Sequence, residues 1–495
     1  MYNKQLFAHV RGDFPILKQR FQGQPLTYLD SAASSQQPEQ VIEAVAEFTR
    51  TSYANIHRGL YHLSELSTDL YDRARQRVAR FIGVEDAPTV IFTRNTTESL
   101  NLLAYTWGEK YIEEGDSIAL PVLEHHSDLV PWQQLALRKK AQLRWIEIRP
   151  DGTLDLDSLQ EALTHKPKLL TFTWVSNVFG TINPVEEIVR LARAQGPITI
   201  ILDGAQGVPH LKTDVQRLGV DFLAFSGHKM LSPTGIGVLW GKRELLERMP
   251  AFLFGGSMIS SVKRDRSSWD VLPNRFEAGT PNISGAIGLA AACDYLDSLG
   301  MEEIRRHDQA LMSYAIEQLN NVPGAEVLGP LDVNQRCGVL SFYFKGIHPH
   351  DISTLLGREG VCVRAGHHCC QPLMREIGMG GTTRASFYVY NNEEDVDRLV
   401  AALGKVAQVF KGVECGPGCE LRPRKVLVQS GHRQLWPACC PKSQCTTCLA
   451  PSAHNRALSN TMDSCSPDLT TPTLNVDLTT PRSQQVPSEG GRKDA

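Results

Sequence analysis

Between Tyr28 and Gly241 short apolar, β-branched runs alternate with amphipathic helical patterns, and that alternation leaves few folds open. A strand joined through a helix to the next strand is the unit of a mostly parallel sheet covered by helices. The expected strands are Thr89–Thr93, Ser117–Pro121, Leu169–Val175, Ile198–Leu202, Phe222–Ser226 and Gly237–Trp240, each followed by a polar or glycine-containing turn. Open α/β sheets bind ligands beyond the carboxyl ends of their strands. Asn95, His125, Asn177, Asp203 and Lys229 fall there, so polar residues far apart in sequence are expected to converge.

The 495 residues exceed what one core usually organises, so two domains and a remainder are expected. A helical stretch, Ala286–Leu299, leads into further helix and strand signals that end near Lys411. The reading is an N-terminal segment (1–29) packed with the small domain, a large domain (30–285), a smaller α/β domain (286–411) and a tail (412–495). In the tail apolar periodicity fades and Ser, Thr, Pro and Cys dominate, a composition that offsets its ordering entropy poorly and is expected to be flexible.

Composition excludes several classes. With 42% hydrophobic and 21% charged residues the chain can build a large core. A formal net charge of -3 and the lack of a basic run interleaved with aromatics argue against nucleic acid as a partner. Met1–Leu17 has neither the apolar run of a signal peptide nor the Arg/Ser bias of a transit peptide, and no later stretch is long and apolar enough to span a bilayer. The expected setting is the cytoplasm, where the 12 cysteines are catalytic, buried or metal-binding rather than disulfide-bonded.

Phe225-Ser226-Gly227-His228-Lys229 delivers a lysine at a strand end, ahead of the glycine-bearing Ser232–Gly237. Such an amine forms a Schiff base once it loses its proton, which burial and cationic neighbours favour. Alone, Lys229 reads as a solvated loop lysine and His228 as a surface histidine. Ile201-Leu202-Asp203-Gly204-Ala205-Gln206 changes that, because it ends a buried strand in a carboxylate. A pyridinium cofactor needs an anion beside its ring nitrogen, and pyridoxal-phosphate sites combine that carboxylate with a lysine. Asp203 alone could equally cap a helix.

These residues resemble the class V aminotransferase-like, fold-type I enzymes that use pyridoxal 5′-phosphate, and within them the cysteine desulfurases of the SufS/CsdA type. The resemblance runs from about Asp13 to Phe410 through several motifs in the family's order. It implies a large domain with a mostly parallel central sheet and a smaller C-terminal α/β domain.

The resemblance also implies roles. Lys229 holds the cofactor, Asp203 partners its ring nitrogen and Gln206 donates to its phenolic oxygen. Thr97 of Arg94-Asn95-Thr96-Thr97-Glu98, with Ser226 and His228, cradles the phosphate, as hydroxyls and N–H groups at a helix start can; Thr97 could instead cap that helix. His125 of Glu124-His125-His126-Ser127-Asp128 stacks on the cofactor and moves protons. A metal at that histidine pair is disfavoured, because adjacent residues diverge and no matching ligand set is nearby. Thr280 of Phe276–Asn282 reaches the phosphate of the neighbouring subunit, which makes the protein a homodimer with shared active sites.

Val363-Arg364-Ala365-Gly366-His367-His368-Cys369-Cys370 places a cysteine beside histidines and an arginine, surroundings that favour thiolate. The alternative is a buried structural thiol. By resemblance Cys369 takes the sulfur as a persulfide. Cys370 departs from the family pattern, which has a small non-thiol residue there, and Ala365 and Ser257 stand where threonine and glutamate are expected. Arg384 resembles the residue for the substrate carboxylate, which a guanidinium fork suits. Asn177 helps orient substrate and cofactor, Arg364 is a further substrate candidate, and His57 and Arg58 resemble a segment near the dimeric site.

The implied reaction converts L-cysteine to L-alanine and an enzyme persulfide, with the sulfur passed to a small acceptor protein for iron–sulfur cluster assembly. The alternatives are selenocysteine lyase or cysteine-sulfinate desulfinase activity on the same fold. A further alternative is sulfur carriage or metal binding by the tail, where Cys415, Cys419, Cys439, Cys440, Cys445 and Cys448 include Cys-x-x-Cys spacing.

Overall fold

The protein's structure, a computed structural model, describes residues 4–21 and 23–410. The tail and its cysteine spacings lie outside the described residues.

Seven strands form the main sheet: β1 (Val90–Thr93), β2 (Ser117–Pro121), β3 (Gln142–Ile146), β4 (Leu169–Thr173), β5 (Thr199–Asp203), β6 (Phe222–Ser226) and β7 (Gly237–Gly241). Their spatial order is β1-β7-β6-β5-β4-β2-β3. Neighbours are parallel from β3 to β6, whereas β7 runs antiparallel to both β6 and β1. The mostly parallel sheet expected from the sequence is borne out. Every residue of β1, β2, β4, β6 and β7 is buried, as in a parallel sheet with helices on both faces. Each such Val, Leu, Ile or Phe contributes about 1.5–3 kcal/mol relative to an exposed side chain.

The sequence reading did not single out β3. Gln142-Leu143-Arg144-Trp145-Ile146 lies on the sheet's edge with mostly exposed or half-buried side chains, so it carries no continuous apolar run. Its alternation of polar and apolar residues was the available signal.

Helices Glu39–Thr51, His62–Phe81 and Ile283–Leu299 pack together, the last being apolar nearly all round. A second, antiparallel sheet has β8 (Ala325–Val327), β9 (Val339–Phe344), β10 (Arg364–Gly366) and β11 (Thr382–Ser386) in the order β8-β9-β11-β10. Helices Met301–Asn320, Pro349–Arg358 and Glu393–Val409 pack with it around a core including Leu311, Leu340, Phe342, Ile352 and Leu399. Asn392 starts the last helix through a capping box with Asp395. Near the N-terminus, Thr27–Tyr28 pairs in parallel with Val361–Cys362, and Asp30 bridges to Ser386 of β11. Among the described residues no helix is long and apolar enough to cross a membrane.

Candidate active site

A cavity of about 460 Å³ opens at the carboxyl ends of β4, β5 and β6, where the second sheet meets the first. Its walls include Thr97, His125, Asn177, Asp203, Gln206, Ser226, His228, Lys229, Arg364, Cys369 and Arg384. Of the residues the sequence reading assigns to catalysis, cofactor or substrate, Thr280 is missing from these walls; it is exposed. The volume falls within the range of small-molecule and cofactor sites.

The floor is built from strand ends. Asp203 is the last residue of β5 and accepts a hydrogen bond from Ala205 N at 2.9 Å. Lys229 follows β6 on a tight turn, Gly227–Lys229, and its Nζ makes no hydrogen bond to the described residues. Burial lowers the Lys229 pKa, with Asp203 opposing and Arg384 reinforcing that shift. Burial likewise raises that of Asp203. A lysine without a hydrogen-bond partner, its pKa lowered by burial and open to a cavity, has the character a carbonyl-binding amine needs. Gln206 Nε2 donates to Ala32 O at 2.7 Å.

One wall is a helix start. Asn95 caps helix Thr96–Leu103 by accepting from Glu98 N at 2.9 Å. Ser226 Oγ accepts from Thr96 N at 2.9 Å and shares a 2.7 Å hydrogen bond with Thr96 Oγ1, which ties that helix to β6. Thr97 Oγ1 lies 2.7 Å from Ser127 Oγ. Gly237 is needed here, because a Cβ would sit 2.5 Å from the Asn95 backbone. Hydroxyls grouped at a helix N-terminus suit an anionic group.

His125 Nδ1 accepts from Ser127 N at 3.1 Å, which assigns the ring proton to Nε2. Burial, with Lys229 nearby, lowers its pKa to about 3, and the same causes bring His228 to about 4. Behind the floor lies a feature the sequence reading missed. Asp128 accepts from Trp132 Nε1 and Thr171 Oγ1 at 2.8 and 2.7 Å, and Glu124 accepts from Thr173 N at 3.0 Å. Burial together with neighbouring carboxylates pushes Glu124 well up and Asp128 to about 7. Glu124-His125-His126-Ser127-Asp128 gave no hint of this, because Thr171 and Thr173, which hold the two carboxyl groups, come from β4.

The opposite wall carries the thiol. His368 and Cys369 both adopt left-handed backbone, with φ of 51° and 57°. That conformation costs about 1–2 kcal/mol for each such residue. It is held from several sides. Asn177 Nδ2 donates to His368 O at 2.7 Å and His126 N to Cys369 O at 2.8 Å. Gln371 N donates to His126 Nε2 at 3.2 Å, and His368 Nε2 lies 2.8 Å from Thr382 Oγ1. The Cys369 side is thereby exposed while Cys370 is buried, its thiol donating to Asn177 Oδ1 at 3.1 Å. Burial pushes the Cys370 thiol up, away from thiolate.

Arg384 is buried on β11; its Nη1 donates to Asn177 O at 2.9 Å and its Nη2 to Asp30 Oδ1 at 3.2 Å. Arg364, half exposed on β10, meets Asp30 Oδ2 at 2.9 Å. The sequence reading missed Asp30, although it follows a short strand and the strand-end argument applied to it equally. Thr280 follows Glu277, which is fixed by Arg75 at 2.6 Å and Phe92 N at 2.7 Å. His57 and Arg58 do not line the cavity; His57 lies with its ring edge-on to Tyr71, at 6.2 Å between centroids. Among the described residues no group of three or more His, Cys, Asp or Glu side chains is placed to hold a metal ion.

A free lysine, a buried carboxylate, a helix start and an arginine around one cavity fit pyridoxal 5′-phosphate. Residues 27–399 match the Aminotransferase class-V family, and the chain belongs to that family, which implies this cofactor. Its relatives place it among the cysteine desulfurases. A probable cysteine desulfurase of Halalkalibacterium halodurans is 47% identical over 404 residues, covering 81% of this chain and 98% of the relative. The apo cysteine desulfurase of Thermococcus onnurineus NA1 superimposes with a TM-score of 0.78 at 38% identity, over 83% of this chain and 100% of that one. The S-sulfonic acid form of Escherichia coli CsdA gives 0.75 at 38% identity, over 81% and 98%. The family and enzyme class expected from the sequence are borne out.

Proposed function

We propose that the enzyme converts L-cysteine to L-alanine and leaves the sulfur on Cys369 as a persulfide. The observation that carries this reading is one cavity whose floor presents an unpartnered Lys229 and whose opposite wall presents an exposed Cys369. Lys229 and Asp203 would hold the cofactor at its carbonyl carbon and ring nitrogen. Gln206 would meet its phenolic oxygen, His125 its ring, and Thr97, Ser226 and His228 its phosphate. Bound pyridoxal 5′-phosphate supplies an electron sink for the amino acid's carbon skeleton.

The chain's own residues do the rest. Arg384 binds the substrate carboxylate, Asn177 and Arg364 help orient it, and Lys229 and His125 carry protons. The Cys369 thiolate forms an S–S bond to the substrate sulfur as the Cβ–S bond breaks. The bonding pair stays on carbon, a proton completes the methyl group of alanine, and Cys369 keeps the second sulfur.

Thr280, exposed and outside the cavity of its own chain, would complete the site of a second copy in a homodimer. The accessible persulfide would pass to a small acceptor protein for iron–sulfur cluster assembly in the cytoplasm, a compartment that keeps thiols reduced. The test is a single tube of enzyme, L-cysteine and reductant in which the cofactor's visible band, alanine and sulfide are followed together. Equal yields of both products are expected; bound cofactor with neither product would overturn the reading.

A further inference from the structure

Three carboxyl groups, those of Glu124, Asp128 and Asp203, are buried behind the cavity floor. Asp203 of β5 is the cross-strand partner of Thr173 on β4, and Thr173 N donates to Glu124 Oε1 at 3.0 Å. Thr171, earlier on β4, donates from Oγ1 to Asp128 Oδ1 and Oδ2 at 2.7 and 2.8 Å. The donors are unequally shared. Asp128 also takes Trp132 Nε1 at 2.8 Å, whereas no donor among the described residues reaches Glu124 Oε2. The two side chains nevertheless hydrogen-bond to each other, and carboxyl groups can do so only when one of them carries a proton. Hydrogen bonds received by a carboxylate favour its charged form, so the better-supplied Asp128 is the anion and the proton belongs to Glu124. The pair's titratable neighbours, Asp203 and the buried Cys370 thiol, offer no positive charge that would let both groups ionise.

We infer that Glu124 is a neutral acid donating its Oε2 proton to an anionic Asp128, and that this one-proton pair acts as positioning residues whose single charge backs Asp203 and strengthens its hold on a protonated ring nitrogen. The second half rests on the reading of Asp203 as the partner of that nitrogen. An anion favours a cation held in front of it, and in a buried setting its field reaches past the nearest group. Asp128 lies close enough to Asp203 for the two charges to feel each other.

The proton's place is read by infrared spectroscopy on the full-length enzyme, at a pH where ordinary carboxyl groups are ionised. The difference between wild type and Glu124→Gln should contain a carboxylic-acid C=O stretch; its absence would overturn the proposal. That comparison does not need the cofactor, so it decides the proton's place even if the functional reading fails. The role of the charge is read from the pH titration of the cofactor's visible band. Glu124→Gln presents an N–H where the acid presents an O–H and should leave the midpoint where it is. Glu124→Gln combined with Asp128→Asn removes the anion, which disfavours the protonated form, and should lower the midpoint by about one pH unit, or about tenfold in proton affinity. A midpoint moved by Glu124→Gln alone, or unmoved in the double variant, would sink the proposal. Should the double variant not fold, Thr171→Val decides: it keeps the strand residue's shape, takes a donor from Asp128 and should lower the midpoint, and an unmoved midpoint would contradict the inference. If Asp203→Asn also leaves the band unmoved, the reading of Asp203 is at fault; if that variant shifts it, the pair alone falls.

Discussion

The floor and the opposite wall of the cavity are built on opposite plans. Asp203 and Lys229 stand at or just past the ends of the interior strands β5 and β6, whose residues are buried except half-buried Thr199, in ordinary backbone, with their places set by sheet register. Cys369 stands on irregular chain in left-handed conformation, exposed and held by side chains from other elements. The contrast suits the two tasks proposed for these walls. A cofactor that stays needs a rigid socket, whereas a thiol that takes up an atom and passes it on needs access from outside.

The largest effect should come from the floor. Lys229→Ala should lower alanine formation on the order of 10³-fold, and the protein should lose the visible band that reports the lysine-bound cofactor. Retained colour and rate would show that the floor lysine is not the attachment point. Asp203→Asn, which keeps the shape and removes the anion, should cost about 10²-fold in rate and shift the pH dependence of that band. An unmoved band would detach Asp203 from the ring nitrogen.

Asn177 joins the two plans, since it binds both His368 O and the Cys370 thiol. Asn177→Ala leaves His368 O without a partner and the Cys370 thiol with Leu123 O alone, at 3.7 Å, a loss of about 1–3 kcal/mol. Alkylation of Cys369 should change rate while the cofactor stays bound, and kcat should fall about tenfold. If cofactor is lost instead, Asn177 belongs to the floor rather than to the loop.

The smallest effect is on stability. His125, His228 and His368 have folded pKa values of about 3, 4 and 3 against 6.5 in the unfolded chain. The unfolded state therefore binds protons that the native state refuses. The stabilisation is complete above pH 6.5 and declines as pH falls toward 4. Thermal melts across that window should show the decline, and His368→Asn should lessen its slope without affecting the floor.

The same contrast explains what could be read from sequence. β5 and β6 are apolar runs because nearly all of their residues are buried, so their ends, and with them Asp203 and Lys229, were legible. The edge strand β3 was not, since only some of its side chains are covered. The loop wall was legible as chemistry, through cysteine beside histidines, but not as shape. Left-handed backbone is announced by glycine, and positions 368 and 369 carry histidine and cysteine. Asp30 and the Glu124–Asp128 pair escaped because their partners come from distant elements, and only the fold brings them together.

The central claim is tested most directly by one turnover with L-cysteine, rapid alkylation, and peptide mapping of residues 364–375 by mass spectrometry. The account predicts one extra sulfur on Cys369, none on buried Cys370, and no persulfide at all in Cys369→Ala despite its retained cofactor band. Sulfur on Cys370, or normal persulfide formation in Cys369→Ala, would contradict it.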